Sequence, residues 1–218
     1  MPYTPPTRAT LRAALARDLR DPDLATFTAP ELNDLINQSM VEVSRVYPKQ
    51  DVQELEVAED GQRSYATDCV GAFRVELMRD GEVRYAVVPN GSADSGEGGW
   101  DLHAGFLWLP RFAATYLKLD QTPTVRVWGY WARDLMQGDT PEDDAQFADV
   151  DAEAEFAVRV YATLLGYQRL QNDRLLFQQW LTTTGNTDVS PNQLAQTADL
   201  YQSQWREMRN RLRSLQRV

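Results

Sequence analysis

The stretch SPNQLAQTADLYQSQWREMRNRLRSLQRV, residues 190–218, decides how the rest of this chain is read. Ser190 can cap a helix that has Pro191 at its first position, and Gln193 stands where a capping box returns its hydrogen bond. Behind it Leu194, Ala198, Tyr201, Trp205, Met208, Leu212 and Leu215 follow at alternating spacings of four and three. That is the repeat of a helix that packs along its whole length. Neither Pro nor Gly interrupts it after Pro191. At 1.5 Å per residue the rod is about 40 Å long, more than a small core needs for cover. The spacing therefore predicts a long C-terminal helix that reaches a partner.

Charge sharpens the expectation. Arg206, Arg209, Arg211, Arg213 and Arg217 stand against the single acid Glu207, so the end of the helix is +4 in a chain of net charge -10, and the remainder is -14. Cations suit a helix C-terminus, where they complement the macrodipole. They equally suit a docking helix whose apolar seam and arginines fit an acidic groove on another protein. Five arginines on an acidic chain make a weak phosphate footprint, so nucleic acid ranks third.

With 218 residues, 43% hydrophobic and 25% charged, the sequence reads as a soluble globular protein of one or two domains. It has no apolar run of about 18 residues for a membrane span. The opening MPYTPPTRAT lacks the apolar core of a secretory signal. Cys69 is the only cysteine, which excludes an internal disulfide and a cysteine-cluster metal site and fits assembly in a reducing cytoplasm.

From the N-terminus, Thr7 or Thr10 is expected to cap a first helix with Leu11, Leu15 and Leu19 on one stripe, closed by Asp21 and Pro22. Thr28 and Glu31 then form a capping box around Ala29 and Pro30, with Phe27 placed as a hydrophobic staple against Leu32. Leu32, Leu35, Ile36, Ser39, Val43 and Val46 make one helical face that Pro48 stops. After Pro48 the period becomes two. Leu55 and Val57 alternate with acids, Asp60-Gly61 marks a turn, and Phe73, Val75 and Leu77 lead through Asp80-Gly81 to Val83, Tyr85 and Val87, a hairpin signature. A polar loop with four glycines follows over residues 90–99. Residues 100–110 and 116–119 read as further strands, and 125–131 (VRVWGYW) as a central strand beneath a helical layer. Helical periodicity returns with Phe156, Val160, Leu164 and Tyr167, continues through Leu175, Leu176, Phe177, Trp180 and Leu181, and breaks at Gly185-Asn186. The predicted class is α+β: a helical bundle made by both ends of the chain, an inserted antiparallel β domain of four to six strands, and the long C-terminal helix. The expected segments are residues 1–49 (first bundle helices), 50–135 (β domain), 136–189 (helices completing the bundle) and 190–218 (docking helix).

No catalytic, cofactor or metal set emerges. His103 is the only histidine and shares no motif with Cys69. Asp139, Asp143, Asp144, Asp149 and Asp151 match no metal-loop spacing and crowd the start of a helix, where acids are favoured. Gly96, Gly98 and Gly99 lack the Lys and Ser/Thr of a phosphate loop. Trp100, Trp108, Trp128, Tyr130 and Trp131 have only Arg126 and Arg133 nearby, which favours a core role over base stacking.

In order along the chain, TLRAALARDLRD (residues 10–21), FTAPELNDLINQSMVEVSRVYP (27–48), a β region closing on GYWARDL (129–135) and DVDAEAEF (149–156) resemble the head-to-tail adaptor, or connector, proteins of tailed bacteriophages. The resemblance implies a structural virion protein and not an enzyme. It implies a dodecameric ring that docks below the portal protein at the head-tail junction, extends the DNA exit channel without specific binding to the DNA, and offers a platform to a tail or nozzle protein. It places no part in a membrane. By analogy the C-terminal helix engages the portal: Tyr201, Trp205, Met208 and Leu212, with Leu215 at their end, are the apolar anchors, and Arg206, Arg209 and Arg213 pair with portal acids. The loop at residues 90–99 and the β domain would meet a tail nozzle, a fibre or a neighbouring subunit. Removal of residues 190–218 is expected to leave a folded protein that no longer docks. Two other readings stand beside this one. The first is a small acidic regulator or inhibitor that binds a basic cellular protein. The second is a Mg²⁺-dependent nuclease built on the acids between Asp139 and Asp151.

Overall fold

The computed structural model describes residues 3–89, 99–119, 122–136 and 150–215. Two helices open the chain, α1 (Arg8–Asp18) and α2 (Ala29–Val46). The strands β1 (Lys49–Glu56), β2 (Ser64–Ala66), β3 (Gly71–Arg79), β4 (Glu82–Val87), β5 (Asp101–His103) and β6 (Phe106–Trp108) follow. A short α3 (Arg111–Ala114) precedes β7 (Pro123–Trp131), and α4 (Ala152–Asn172), α5 (Arg174–Thr183) and α6 (Pro191–Leu215) complete the order. The class is α+β, with six helices among the described residues, a long last helix and antiparallel sheets. None of the described helices is long and apolar enough to cross a membrane. The chain divides into two compact units, residues 1–47 with 133–218, and residues 48–132.

In the first unit the helix starts follow their caps. Thr7 Oγ1 accepts from the Thr10 N–H at the head of α1. At α2 both arms of the box form: the Glu31 N–H donates to Thr28 Oγ1 at 3.4 Å, and the Thr28 N–H to Glu31 Oε2 at 2.9 Å. Burial acts to raise the Glu31 carboxyl, but the Thr28 donors and the Arg169 guanidinium outweigh it and hold the group below its usual range. Between α1 and α2 the Asp21 carboxylate is buried and accepts from the N–H groups of Ala25, Thr26 and Phe27. Phe27, fully buried, begins a core that continues through Leu32, Ile36 and Met40. The centre of the unit is α4, which packs against α1, α2, α5 and α6. It is apolar on more than one side, with Ala154, Val158, Ala162, Leu164 and Leu170 buried, as a helix enclosed by neighbours must be. Gly166 lets it come close to α1, since a Cβ there would stand 2.6 Å from a methyl carbon of Leu19.

In the second unit the larger sheet has the order β1-β7-β3-β4 and the smaller β2-β6-β5, with every ladder antiparallel. Two hairpins turn on two residues each, Asp80-Gly81 (φ 51° and 79°) and Ala104-Gly105 (φ 53° and 78°), the left-handed pair of a type I′ turn. Along β7 every second residue from Pro123 to Trp131 is buried, and Val125 and Val127 share a core with Val75, Leu77, Tyr65, Leu107 and Leu117.

Four expectations are corrected. Residues 116–119 form no strand: Pro110 starts α3, and the Tyr116 and Leu117 N–H groups bond back to Ala113 and Ala114, which turns the chain instead of extending it. Within the second unit the core cluster beside β7 draws on the smaller sheet and the four-residue α3 instead of a layer of helices. Phe73 is exposed and tilts against Tyr130, because a bulge between Ala72 and Arg74 takes it out of the alternation with Val75 and Leu77. Phe156 is 52% exposed, so it does not share the buried face of Val160, Leu164 and Tyr167 that its spacing predicts.

Gly129 is the tightest point of the larger sheet. A Cβ there would lie 2.5 Å from Cys69 Sγ and 2.7 Å from the Gly71 carbonyl oxygen. Gly129→Ala is expected to destabilise the second unit by about 2–3 kcal/mol, the range of overpacked cores. Urea unfolding followed by tryptophan fluorescence measures this. Adding Cys69→Ala should recover only part of the loss, because the Gly71 carbonyl still obstructs; complete recovery would refute the backbone clash.

Candidate functional site

The helix on which the sequence reading centred begins as its residues dictate. The Ser190 N–H donates to Gln193 Oε1 at 2.7 Å, and the Gln193 N–H returns to Ser190 Oγ at 3.3 Å. From there α6 runs antiparallel to α4: Tyr201 stacks on Tyr167 at 5.7 Å, Trp205 tilts against Tyr161 at 4.7 Å, and Arg211 pairs with Glu153. Leu194, Ala198, Trp205, Met208 and Leu212 are buried, and Tyr201 is half-buried. Burial pushes the Tyr167 phenol up to about 12 and raises that of Tyr201 as well, so both stay neutral in the seam.

The apolar positions proposed as anchors for a partner are therefore occupied by this chain's own α4. Of the seam only Leu215 keeps a large exposed apolar surface, at 47%. A repeat of this kind reports that a helix is covered along one side. It does not report whether the cover is another molecule or a helix of the same chain.

The cationic side of α6 has a different fate. Arg206 and Arg213 are exposed and form no ion pair among the described residues, whereas Arg211 is engaged by Glu153. Arg209 is half-buried, and its Nε is buried with no acceptor among the described residues. Arg217 lies outside the described residues. The unpaired set Arg206, Arg209 and Arg213 recurs at i, i+3 and i+7, which puts all three on one side of the helix.

The remaining residues singled out by sequence have structural surroundings. Asp151 caps α4, with Oδ1 accepting from the Ala154 N–H at 2.8 Å and Oδ2 from the Tyr47 hydroxyl at 3.0 Å. Arg133, buried beside it, reaches Asp151 at 3.6 Å, donates through Nε to the Tyr47 carbonyl at 3.0 Å and lies 4.9 Å from the centre of the Tyr47 ring. Sequence reading missed this cluster, whose one signal was the arginine in GYWARDL. Asp139, Asp143, Asp144, Asp149, Gly96 and Gly98 lie outside the described residues, as does the loop at 90–98. Cys69 is buried, which raises its thiol, while His103 is exposed and stacks on Trp108 at 5.9 Å. Trp108 is 41% exposed, against its expected core role. Among the described residues no group of three or more His, Cys, Asp or Glu side chains is placed to hold a metal ion.

No protein-family model matches the chain, and no curated protein matches it in sequence.

Proposed function

We propose that this chain is a structural virion protein of the head-to-tail adaptor type, a subunit of a ring that docks below the portal of a tailed bacteriophage and carries the tail. In this reading the helices of both chain ends form a bundle into which the β unit is inserted. Support for the bundle comes from α1, α2, α4, α5 and α6 sharing one apolar core, while residues 48–132 fold on another. The observation that carries the docking role is the row of Arg206, Arg209 and Arg213, without counter-charges among the described residues on a chain of net charge -10. Such a row favours an acidic protein surface, and it is too short for a duplex. The acidic remainder suits a channel wall that repels phosphate and lets DNA slide.

With its apolar seam occupied, α6 docks in this reading through the arginines and Leu215, while Tyr201, Trp205, Met208 and Leu212 hold the helix to the bundle. The test is antibody labelling of particles purified from the phage or prophage that encodes the sequence. Label confined to one vertex, at the junction of head and tail, is the expected result. Protein present in the lysate and missing from particles would reject the adaptor reading in favour of a soluble regulator.

A further inference from the structure

We propose that the groove between α2, α4 and α6 is a carboxylate-binding site that receives an aspartate or glutamate side chain of a partner protein. The inference rests on the reading of α6 as a docking element and names the chemistry of its contact. The groove has a volume of about 430 Å³, and its walls carry Arg206, Arg209, Gln168, Gln202, Trp205 and Glu42.

Three features point to an anion. Five other arginines of the same unit have carboxylate partners, Arg45 with Glu42, Arg133 with Asp151, Arg159 with Asp18, Arg169 with Glu31 and Arg211 with Glu153, whereas the exposed Arg17, Arg20, Arg174 and Arg213 have none among the described residues. Arg206 and Arg209 have none among the described residues, although they are neighbours on one helix face and repel each other. The Arg209 Nε–H, buried without an acceptor, is a charged donor left unsatisfied, a costly state that a ligand oxygen would relieve. The acid on the wall does not supply that oxygen, because Glu42 is turned to Arg45 at 3.2 Å.

A carboxylate suits the two arginines, whose charge an acidic side chain of a protein partner offsets. The planar guanidinium fork matches its two oxygens, and the Gln168 and Gln202 amides, from α4 and α6, offer further donors in the groove. Trp205, itself buried, lines the groove with an apolar surface, beside which a charge pair is stronger than in open water. Arg213 extends the row by one turn, so a stripe about 10 Å long faces the partner. A helix or loop with acids one turn apart has the complementary pattern.

The experiment uses the full chain, titrated with a hexaglutamate peptide by calorimetry while the Arg209 Nε–H resonance is followed by NMR. Inorganic phosphate and a twelve-residue oligothymidylate are run in parallel. Hexaglutamate is expected to bind and to move the Arg209 signal, with Arg206→Gln and Arg209→Gln each weakening binding about 10-fold or more. Arg17→Gln, an equal change of charge on an exposed face of α1, should stay within about twofold, the size of a weak surface effect. Because Arg206 is exposed, its variant tests the site even if the half-buried Arg209 proves necessary for folding. An unmoved Arg209 signal, unaltered binding in Arg206→Gln, or a stronger response to phosphate or oligothymidylate would overturn the assignment. Peptide binding by a protein that never labels particles would keep the groove and reject the adaptor reading. Labelled particles with a silent groove would do the reverse.

Discussion

A chain that stops at Val189 is expected to lose the fold of the helical unit, and not merely its docking. Residues 190–215 contribute Leu194, Ala198, Trp205, Met208 and Leu212 to the core, and their loss leaves the facing side of α4 bare. At 1.5–3 kcal/mol for each large apolar side chain, the removed burial amounts to roughly 10 kcal/mol. Whole domains are stable by only about 5–15 kcal/mol. Circular dichroism of the truncated chain should therefore lack the cooperative helical melt of the full protein. A transition within a few degrees of the parent would show that α4 finds other cover. Trp205→Ala probes the same seam more gently and should cost about 3–5 kcal/mol. A truncation consequently cannot separate docking from folding, as the sequence alone suggested it would. Exposed substitutions such as Arg206→Gln and Arg213→Gln can.

What was legible in the sequence was local chemistry that permits one geometry. Thr28 with Glu31, and Ser190 with Gln193, are capping boxes because their side chains reach the N–H groups that a new helix leaves unpaired. Asp80-Gly81 is a hairpin turn because both residues must enter left-handed space, which glycine does freely and aspartate at modest cost. What stayed hidden depends on context. The alternation at Phe73 is broken by a bulge, and a bulge is set by the neighbouring strand. Residues 116–119 have the composition of a strand, yet they follow α3 and its preceding Pro110, where successive backward hydrogen bonds turn the chain.

The same distinction runs through the candidate site. The arginines of α6 could be counted from sequence, and their signs predicted an acidic partner. Their separation into a paired Arg211 and an unpaired row depends on where α4 places Glu153, on a helix that precedes α6 by about 20 residues. The apolar positions were identified correctly as a seam, but the identity of its cover is a property of the fold. The cluster of Arg133, Tyr47 and Asp151 joins three distant stretches of sequence. No spacing rule connects them.

Asp21→Ala is expected to destabilise the helical unit by about 4 kcal/mol, because it strips the acceptor from several buried donors that cost about 1–3 kcal/mol each when unpaired. The Asp21 carboxylate receives the N–H groups of Ala25, Thr26 and Phe27 at 2.9, 3.0 and 2.8 Å and is itself 1% exposed. It also holds a loop in which Arg20 and Leu24 adopt left-handed backbone (φ 57° and 54°), a conformation that side-chain-bearing residues avoid. This loop delivers Phe27 to the core and Thr28 to the head of α2, so its release loosens the cap and the staple together. Asp21→Asn keeps one acceptor oxygen but turns an amide N–H₂ toward backbone donors, and about half of the loss should remain. Urea denaturation of the two variants separates the contributions. A cost below about 1 kcal/mol for Asp21→Ala would mean that packing around Phe27, and not the carboxylate, fixes the loop. Equal costs for Asn and Ala would mean that both carboxylate oxygens are needed at once, against the division of the three bonds, in which Thr26 and Phe27 share Oδ2 and only Ala25 uses Oδ1.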